Sequence, residues 1–277
     1  NELKRTRPLK STARYRIHIC IFIKGCAMDR KSSIKKNKYF PRRIDKNTPI
    51  IYGTHAVTAA LSNPNRQNLK LVATSEALKR LLNGPIEWSS KPRKALEDAR
   101  IVKQNELSDF LPTDSNHQGL LLYSSPLEQP SLESTLHKID NSSAPLVILD
   151  QIKDPRNVGA IMRSASVMGA KAIIIQSRHS PSVTGALAKA ASGALETLPL
   201  IQVTNLVRAI DKVKDAGYWI VGLDTRASNS IEKAFVNSPI AIILGSKENG
   251  LRRLTTERCD ILAVIPTTQF NKYGTEI

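Results

Sequence analysis

Residues 149–165 read LDQIKDPRNVGAIMRSA, and this stretch decides the class of fold. It begins at the end of an apolar run over residues 146–149 and continues into a segment with helical spacing. Asp154 and Pro155 can start a turn, and Asn157 can cap the helix that follows. A buried strand that turns directly into a helix is typical of a β-α-β unit, so the stretch predicts a parallel sheet covered by helices.

The helix predicted after this turn has two different faces. Its apolar residues, which should pack on the sheet, are Val158, Ile161, Met162 and Ala165. Arg163 is five residues from Val158 and therefore about 140° away around the helix axis. A cation that projects away from the sheet can meet a phosphate or a developing negative charge, although an isolated arginine of this kind is more often an ordinary surface residue.

The same alternation of strand and helix continues to the C-terminus. Further apolar strands are predicted at 172–175, 199–203, 219–223, 240–244 and 261–265, with helical segments around 158–168, 184–191, 206–216 and 251–258. The strands are nearly continuous apolar runs, as expected of parallel strands buried on both faces. Ligands of such sheets bind beyond the carboxyl ends of the strands, so candidate site residues are sought there.

Known nucleotide and hydrolase motifs are absent from these strand ends. The sequence contains no G-x-G-x-x-G after the first strand, no G-x-x-x-x-G-K-[ST] and no G-x-S-x-G. One strand end instead continues as Gly245-Ser246-Lys247-Glu248-Asn249-Gly250, where Gly245 permits a sharp turn or a close approach to a ligand. Another ends at Ile265-Pro266.

Charge is concentrated at the start of the chain. The 277 residues carry a net charge of +17, and residues 1–48 hold 15 Lys/Arg against three acidic residues. A basic arm of this kind favours a polyanionic partner such as nucleic acid, with an anionic membrane surface or a merely solvated tail as alternatives. The apolar run at 17–23 is too short to span a bilayer. Three cysteines without a CxxC pair indicate no metal site and favour a reducing, cytoplasmic setting.

Composition divides the chain into four predicted parts. Residues 1–48 are predicted as a disordered basic arm, 49–125 as a small α/β domain, 126–145 as a linker rich in Pro, Ser and Asn, and 146–277 as the parallel-sheet domain.

Several stretches together resemble the SpoU/TrmH family of RNA methyltransferases, within the knotted SPOUT class. The family pattern D-P-x-N-x-G-x-x-x-R-x-A matches residues 154–165, and L-G-x-E-x-x-G-L is similar to residues 244–251. Residues 192–196 (SGALE) and Ile265-Pro266 also fit. The small domain, with YGTHAV at 52–57 and HQG at 117–119, resembles the L30e-like RNA-binding domain of the branch that methylates guanosine in large-subunit (23S) rRNA.

The resemblance implies a trefoil knot, S-adenosyl-L-methionine (AdoMet) as methyl donor, RNA as substrate, and a homodimer whose active site uses both subunits. It assigns activation of the ribose 2′-hydroxyl to Arg163 and a place beside the ribose to Asn157. Glu248, one residue after the position of the motif glutamate, is expected to stand in for it. The residues that it implies for cofactor binding are Leu223, Gly245, Ile265 and Pro266. Neither a metal nor a membrane is implied.

Two departures from the family pattern leave alternatives open. Lys247 occupies the position of the motif glutamate, with Glu248 one residue later, and no Ser-Leu-Asn follows Ile265-Pro266. We therefore expect a C-terminally truncated domain with an incomplete knot. A non-catalytic RNA-binding protein is the first alternative and a tRNA 2′-O-methyltransferase is the second. A small-molecule enzyme on a flavodoxin-like sheet is the third.

Overall fold

A computed structural model describes residues 49–112, 115–137, 144–179, 181, 183–234 and 238–265. The predicted basic arm, Pro266 and the segment on which the incomplete knot was predicted lie outside these ranges. In the described ranges, no helix is both long and apolar enough to cross a membrane.

The first part of the described chain forms a four-stranded sheet with helices. Its elements are β1 (Ile50–Tyr52), α1 (Thr54–Ser62), β2 (Lys70–Ala73), α2 (Ser75–Leu82), α3 (Ser90–Glu97), β3 (Arg100–Ile101), α4 (Gln104–Ser108) and β4 (Leu120–Tyr123). The strand order is β1-β4-β2-β3, with β4 antiparallel to both neighbours and β2 parallel to β3. The short helix α5 (Leu132–His137) lies within the segment predicted as a linker.

The second part contains a seven-stranded sheet. Its elements are β5 (Leu146–Leu149), α6 (Pro155–Val167), β6 (Ala172–Gln176), α7 (Gly185–Ala191), β7 (Leu200–Val203), α8 (Leu206–Asp215), β8 (Trp219–Leu223), β9 (Asn229–Ser230), β10 (Ile240–Leu244), α9 (Arg253–Thr256) and β11 (Ile261–Val264). All strand pairs are parallel, in the order β7-β6-β5-β10-β8-β11-β9. The predicted parallel sheet is confirmed, and its carboxyl ends lie along one edge.

Helix α6 begins three residues earlier than predicted. Its N-cap is Asp154, whose carboxylate accepts a hydrogen bond from Arg156 N at 2.8 Å, and Pro155 occupies the first helical position. The prediction that Asn157 caps the helix is therefore wrong, because Asp154 is an equally good cap and proline favours the position directly after it. Asn157 instead lies in the first turn, where its side chain is exposed.

The predicted division of α6 into two faces is confirmed. Val158 and Met162 are fully buried, whereas Arg163 is exposed. The buried face packs tightly on α7, since a Cβ at Gly159 would lie only 2.6 Å from Ala190 Cβ and 2.6 Å from the Leu187 carbonyl oxygen. A side chain at position 159 would thus separate the two helices.

Apolar packing is continuous between the two sheets. One cluster of buried side chains includes Ile51 and Leu122 of the first sheet together with Leu149 and Ile175 of the second. Burial of such side chains is worth about 1.5–3 kcal/mol each, so this shared core contributes strongly to the association of the two parts.

A buried ion pair lies at the same junction. Arg66, in the segment between α1 and β2, donates from Nε to Glu196 Oε2 at 3.0 Å and from Nη2 to Glu196 Oε1 at 2.8 Å. The side chains are only 2% and 5% exposed. Asn63 Nδ2 also donates to Glu196 Oε2 at 2.8 Å. Two sequence segments about 130 residues apart are therefore joined by a two-pronged, charge-assisted contact.

Candidate functional site

The first candidate site is a cleft of about 540 Å³ beside α6, here called the α6 cleft. It forms where the chain leaving β5 and the first turns of α6 face the loop after β10, at the carboxyl edge of the sheet. Its lining residues are Gln151, Ile152, Lys153, Asp154, Asn157, Ala160, Ile161, Gly245, Ser246, Lys247, Glu248 and Asn249.

The loop after β10 folds back on itself. Ser246 N donates to the Gly250 carbonyl at 3.1 Å, and Gly250 N donates to the Ser246 carbonyl at 2.9 Å. This closure requires glycine at 245, because a Cβ there would overlap the Gly250 backbone and lie 2.6 Å from Leu251 N. Residues 245–250 are called the glycine loop below. The glycines at the two ends of this loop account for its tight turn, so a bound ligand is not needed to explain it.

The second candidate site is a cleft of about 530 Å³ beyond β8, here called the β8 cleft. Its lining residues are Leu223, Asp224, Thr225, Arg226, Leu244 and all six residues of the glycine loop. Residues 245–249 line both clefts, so the glycine loop is a wall that the two clefts share.

One strong charge interaction shapes the β8 cleft. Arg226 donates from Nε to Asp224 Oδ1 at 3.0 Å and from Nη2 to Asp224 Oδ2 at 2.8 Å, and its backbone N donates to Oδ1 at 2.8 Å. The side-chain hydrogen bonds from Arg226, followed by the backbone one, lower the pKa of the Asp224 carboxyl from 3.8 to about 2. The cleft therefore keeps an ionised carboxylate at any ordinary pH.

The β8 cleft suits a small ligand with polar and apolar parts. Its volume lies within the range of about 300–1,000 Å³ typical of small-molecule sites. Leu223 and Leu244 supply apolar surface, and Asp224 and Thr225 supply polar groups. These properties fit AdoMet, which combines a positively charged sulfonium and apolar methylene groups with a polar nucleoside and amino acid. Among the described residues, no group of three or more His, Cys, Asp or Glu could hold a metal ion.

The structure brings most of the predicted site residues together. Asn157, Gly245 and Glu248 line the α6 cleft, and Leu223, Gly245 and Glu248 line the β8 cleft. Ile265 is 50% exposed and lines neither cleft. Pro266 lies outside the described residues.

Arg163, like Ile265, is a predicted site residue that lies outside both clefts. It lies six residues beyond Asn157, about 9 Å further along α6, and lines neither cleft. The exposed surface near it includes Val167 and Met168, which are 85% and 78% exposed.

Sequence reasoning missed three residues behind the glycine loop. Asp150 is fully buried at the end of β5 and pairs with Arg252, with 2.7 Å between Oδ1 and Nε. Arg252 Nη2 in turn donates to Gln176 Oε1 at 3.0 Å. A signal was present, since Asp150 directly follows a fully buried apolar strand and a carboxylate that is itself buried requires a partner.

Comparisons with known proteins agree on the family. A family model described as the SpoU rRNA Methylase family matches residues 144–272. The 23S rRNA (guanosine-2′-O-)-methyltransferase RlmB of Coxiella burnetii is 36% identical over 218 residues, which is 78% of this chain and 85% of that protein. The uncharacterized tRNA/rRNA methyltransferase slr0955 of Synechocystis is 34% identical and aligns with 78% of this chain but 56% of its own length.

Solved structures share the fold at lower identity. The AdoMet-bound rRNA methyltransferase from Sinorhizobium meliloti superposes with a TM-score of 0.62 at 18% identity, covering 83% of this chain and 82% of that one. The SpoU methyltransferase AviRb from Streptomyces viridochromogenes, in complex with AdoMet, gives 0.60 at 18% identity, covering 79% and 81%. With this fold and the identity to RlmB over most of both chains, the protein belongs to the SpoU rRNA methylase family.

Proposed function

We propose that this protein transfers the methyl group of AdoMet to a ribose 2′-hydroxyl in RNA. The observation that carries the proposal is the pair of clefts that share the glycine loop as a wall, one suited to a small polar ligand and the other bounded by α6. A methyl transfer needs its donor and acceptor held in line at contact distance, and two adjoining clefts meet that need.

The β8 cleft binds the methyl donor in this proposal. Leu223 and Gly245 offer backbone and small surface to AdoMet. Ile265 and Pro266 remain assigned to cofactor binding on the family resemblance alone. AdoMet supplies an electrophilic methyl group on a positively charged sulfur. The Asp224–Arg226 ion pair and Thr225 offer polar groups to the nucleoside and amino-acid parts of the ligand.

The α6 cleft receives the ribose of the RNA. Asn157 is exposed there and offers both a donor and an acceptor to ribose hydroxyls. Lys153 and Lys247 add positive charge for the neighbouring phosphates. Glu248 stands in for the family glutamate, and because it lines both clefts it lies close to the line of transfer.

Arg163 of a second copy of the chain activates the ribose 2′-hydroxyl that accepts the methyl group. Arginine stays protonated in proteins, so it acts by orienting the hydroxyl and stabilising the developing alkoxide rather than by removing the proton. The proton would pass to a neighbouring phosphate of the RNA, and breaking the bond between sulfur and the methyl group would release S-adenosylhomocysteine. Its absence from either cleft of its own subunit, and the exposed Val167 and Met168 near it, favour a homodimer in which Arg163 reaches the partner's α6 cleft.

The substrate that we propose is a guanosine of 23S rRNA. The support is the relative RlmB, whose name specifies that reaction, together with the small N-terminal sheet in the position of an L30e-like RNA-binding domain. The small domain (49–125) and the basic arm (1–48) would choose the site and add affinity, with 126–145 as their connection to the catalytic domain (146–277). An RNA substrate and cysteines without a CxxC pair also favour the cytoplasm.

The direct test is methyl transfer from labelled AdoMet to 23S rRNA fragments and, separately, to tRNA, followed by nucleoside mass spectrometry. We expect 2′-O-methylguanosine in the rRNA. Methylation of tRNA alone would replace the rRNA assignment with the tRNA alternative. RNA binding without any transfer would favour the non-catalytic alternative.

Arg163 has its own test by subunit mixing. Arg163→Ala and Asn157→Ala should each abolish turnover, because one removes the activating cation and the other a cleft residue. When the two variants are mixed and allowed to exchange subunits, dimers with one intact composite site should restore about a quarter of wild-type activity. An inactive mixture would show that Arg163 acts within its own subunit. Arg253→Ala, which changes an exposed arginine outside both clefts, serves as the control.

A further inference from the structure

A buried carboxylate lies behind the glycine loop and takes no part in either cleft. Asp150 is 0% exposed at the carboxyl end of β5. Burying an unpaired carboxylate in such a position would cost much of the free energy of folding, so the groups that bond to Asp150 indicate its role. Its Oδ1 accepts from Arg252 Nε at 2.7 Å, and its Oδ2 accepts from Arg252 N at 3.0 Å.

The same aspartate also holds the other end of the loop. Asp150 N donates to the Leu244 carbonyl at 2.8 Å. Leu244 is the last residue before the glycine loop, and Arg252 follows Leu251 just after it. Asp150, directly after β5, therefore bonds to both ends of the loop, through its backbone at the entry and through its side chain at the exit.

Arg252 extends this anchorage to the neighbouring strand. Its Nη2 donates to Gln176 Oε1 at 3.0 Å, at the end of β6, and Gln176 Nε2 donates to the Thr204 carbonyl at 3.2 Å, just beyond β7. The guanidinium thus uses its planar fork to connect two strand ends, which a lysine ammonium cannot do in the same geometry.

Leu251, directly after the loop, is 5% exposed in the apolar core and helps to hold the loop exit, whereas the loop residues themselves make few hydrogen bonds to the sheet. The internal bonds of the loop are the Ser246–Gly250 backbone pair and a bond from Asn249 N to Ser246 Oγ at 3.2 Å. These bonds fix its shape but not its position on the sheet. Lys247, Glu248 and Asn249 are exposed.

We propose that Asp150 and Arg252 are positioning residues that hold the glycine loop as a rigid wall between the methyl donor and the ribose. Neither lines a cleft, so they act through the loop. The effect on catalysis that we expect from this anchorage rests on the proposed function. The anchorage itself depends only on the hydrogen bonds around Asp150.

The test compares Arg252→Lys with Arg253→Lys. Both variants replace one arginine by lysine in adjacent positions, but Arg253 is 80% exposed and pairs with Glu257 on the surface. We expect Arg252→Lys to weaken AdoMet binding at least tenfold in calorimetry and to lower kcat at least tenfold, with KM for RNA changed less than threefold. Arg253→Lys should leave all three within twofold.

Hydrogen exchange separates this proposal from the proposed function. In Arg252→Lys, the hydrogen-bonded amides of Ser246, Asn249 and Gly250 should exchange at least tenfold faster while those of β5 and β10 keep their protection. If the loop amides of Arg252→Lys exchanged at the wild-type rate, the proposal would be overturned. Faster exchange throughout the chain would also overturn it, because that result would indicate general destabilisation. If the wild-type protein failed to bind AdoMet, the proposed function would fall, and the exchange comparison would still decide whether the loop is anchored.

Discussion

Removing the Arg66 side chain should destabilise the protein far more than removing a surface arginine. Arg66→Ala deletes both bonds to Glu196, a bond from Nη1 to the Ser125 carbonyl at 3.0 Å and one to Ser124 Oγ at 3.3 Å. It leaves Glu196, only 5% exposed, with Asn63 as its remaining side-chain donor. Breaking a buried pair in this way costs about 3–5 kcal/mol.

The assay is urea unfolding with linear extrapolation, supported by thermal melts. For a domain of this size, 1 kcal/mol corresponds to a change of about 2–4 °C, so we expect Tm to fall by about 6–20 °C. The control is Arg93→Ala. Arg93 and Glu97 form a surface pair with 3.9 Å between Nε and Oε1, and both side chains are more than 60% exposed. That variant should change the free energy of unfolding by less than about 1 kcal/mol.

A double variant checks the physical cause. Arg66→Met combined with Glu196→Leu replaces the pair with apolar side chains, which often costs little because no charge remains buried. We expect it to recover more than half of the stability lost in Arg66→Ala. The reasoning is refuted if Arg66→Ala and Arg93→Ala unfold alike, or if the double variant is less stable than Arg66→Ala.

Two further predictions concern the clefts. Gly245→Ala should abolish measurable AdoMet binding in calorimetry, because its Cβ would overlap the Gly250 backbone and open the glycine loop; unchanged affinity would show that the loop tolerates this. The depressed pKa of Asp224 means that its pairing stabilises the fold above pH 3.8 and that this contribution is lost as the pH falls towards 2. In Arg226→Gln, the pKa of the Asp224 carboxyl, measured by carbon-13 NMR, should rise towards 3.8. An unchanged pKa would contradict the role of Arg226.

The strands of the large sheet could be predicted from sequence to within a residue or two. Their apolar runs are bounded by polar residues, and buried parallel strands leave that pattern whatever their neighbours are. β9 escaped prediction because it consists of two polar residues, Asn229 and Ser230. The order of the strands in the sheet could not be predicted. Nothing in the composition of Ile240–Leu244 indicates that β10 lies between β5 and β8.

The candidate site was predictable where its residues belong to short sequence motifs. Asn157, Gly245 and Glu248 belong to short motifs at strand ends, and the structure places all three in one cleft. The partners of Asp150 and Arg66 could not be found in this way. Arg252 lies 102 residues from Asp150, and Glu196 lies 130 residues from Arg66. A single sequence carries no periodic signal for contacts over such separations.

The place of β10 in the sheet has a consequence during synthesis on the ribosome. β5 pairs with β10 on one side, but about 90 residues separate the two strands in the chain. At about 5–20 residues per second, that edge of β5 waits roughly 5–20 s for its neighbour. An apolar strand with an unpaired edge is a template for wrong pairing. The nascent chain is therefore most prone to aggregation between the emergence of Leu149 and that of Leu244, and this interval is when a chaperone would help it most.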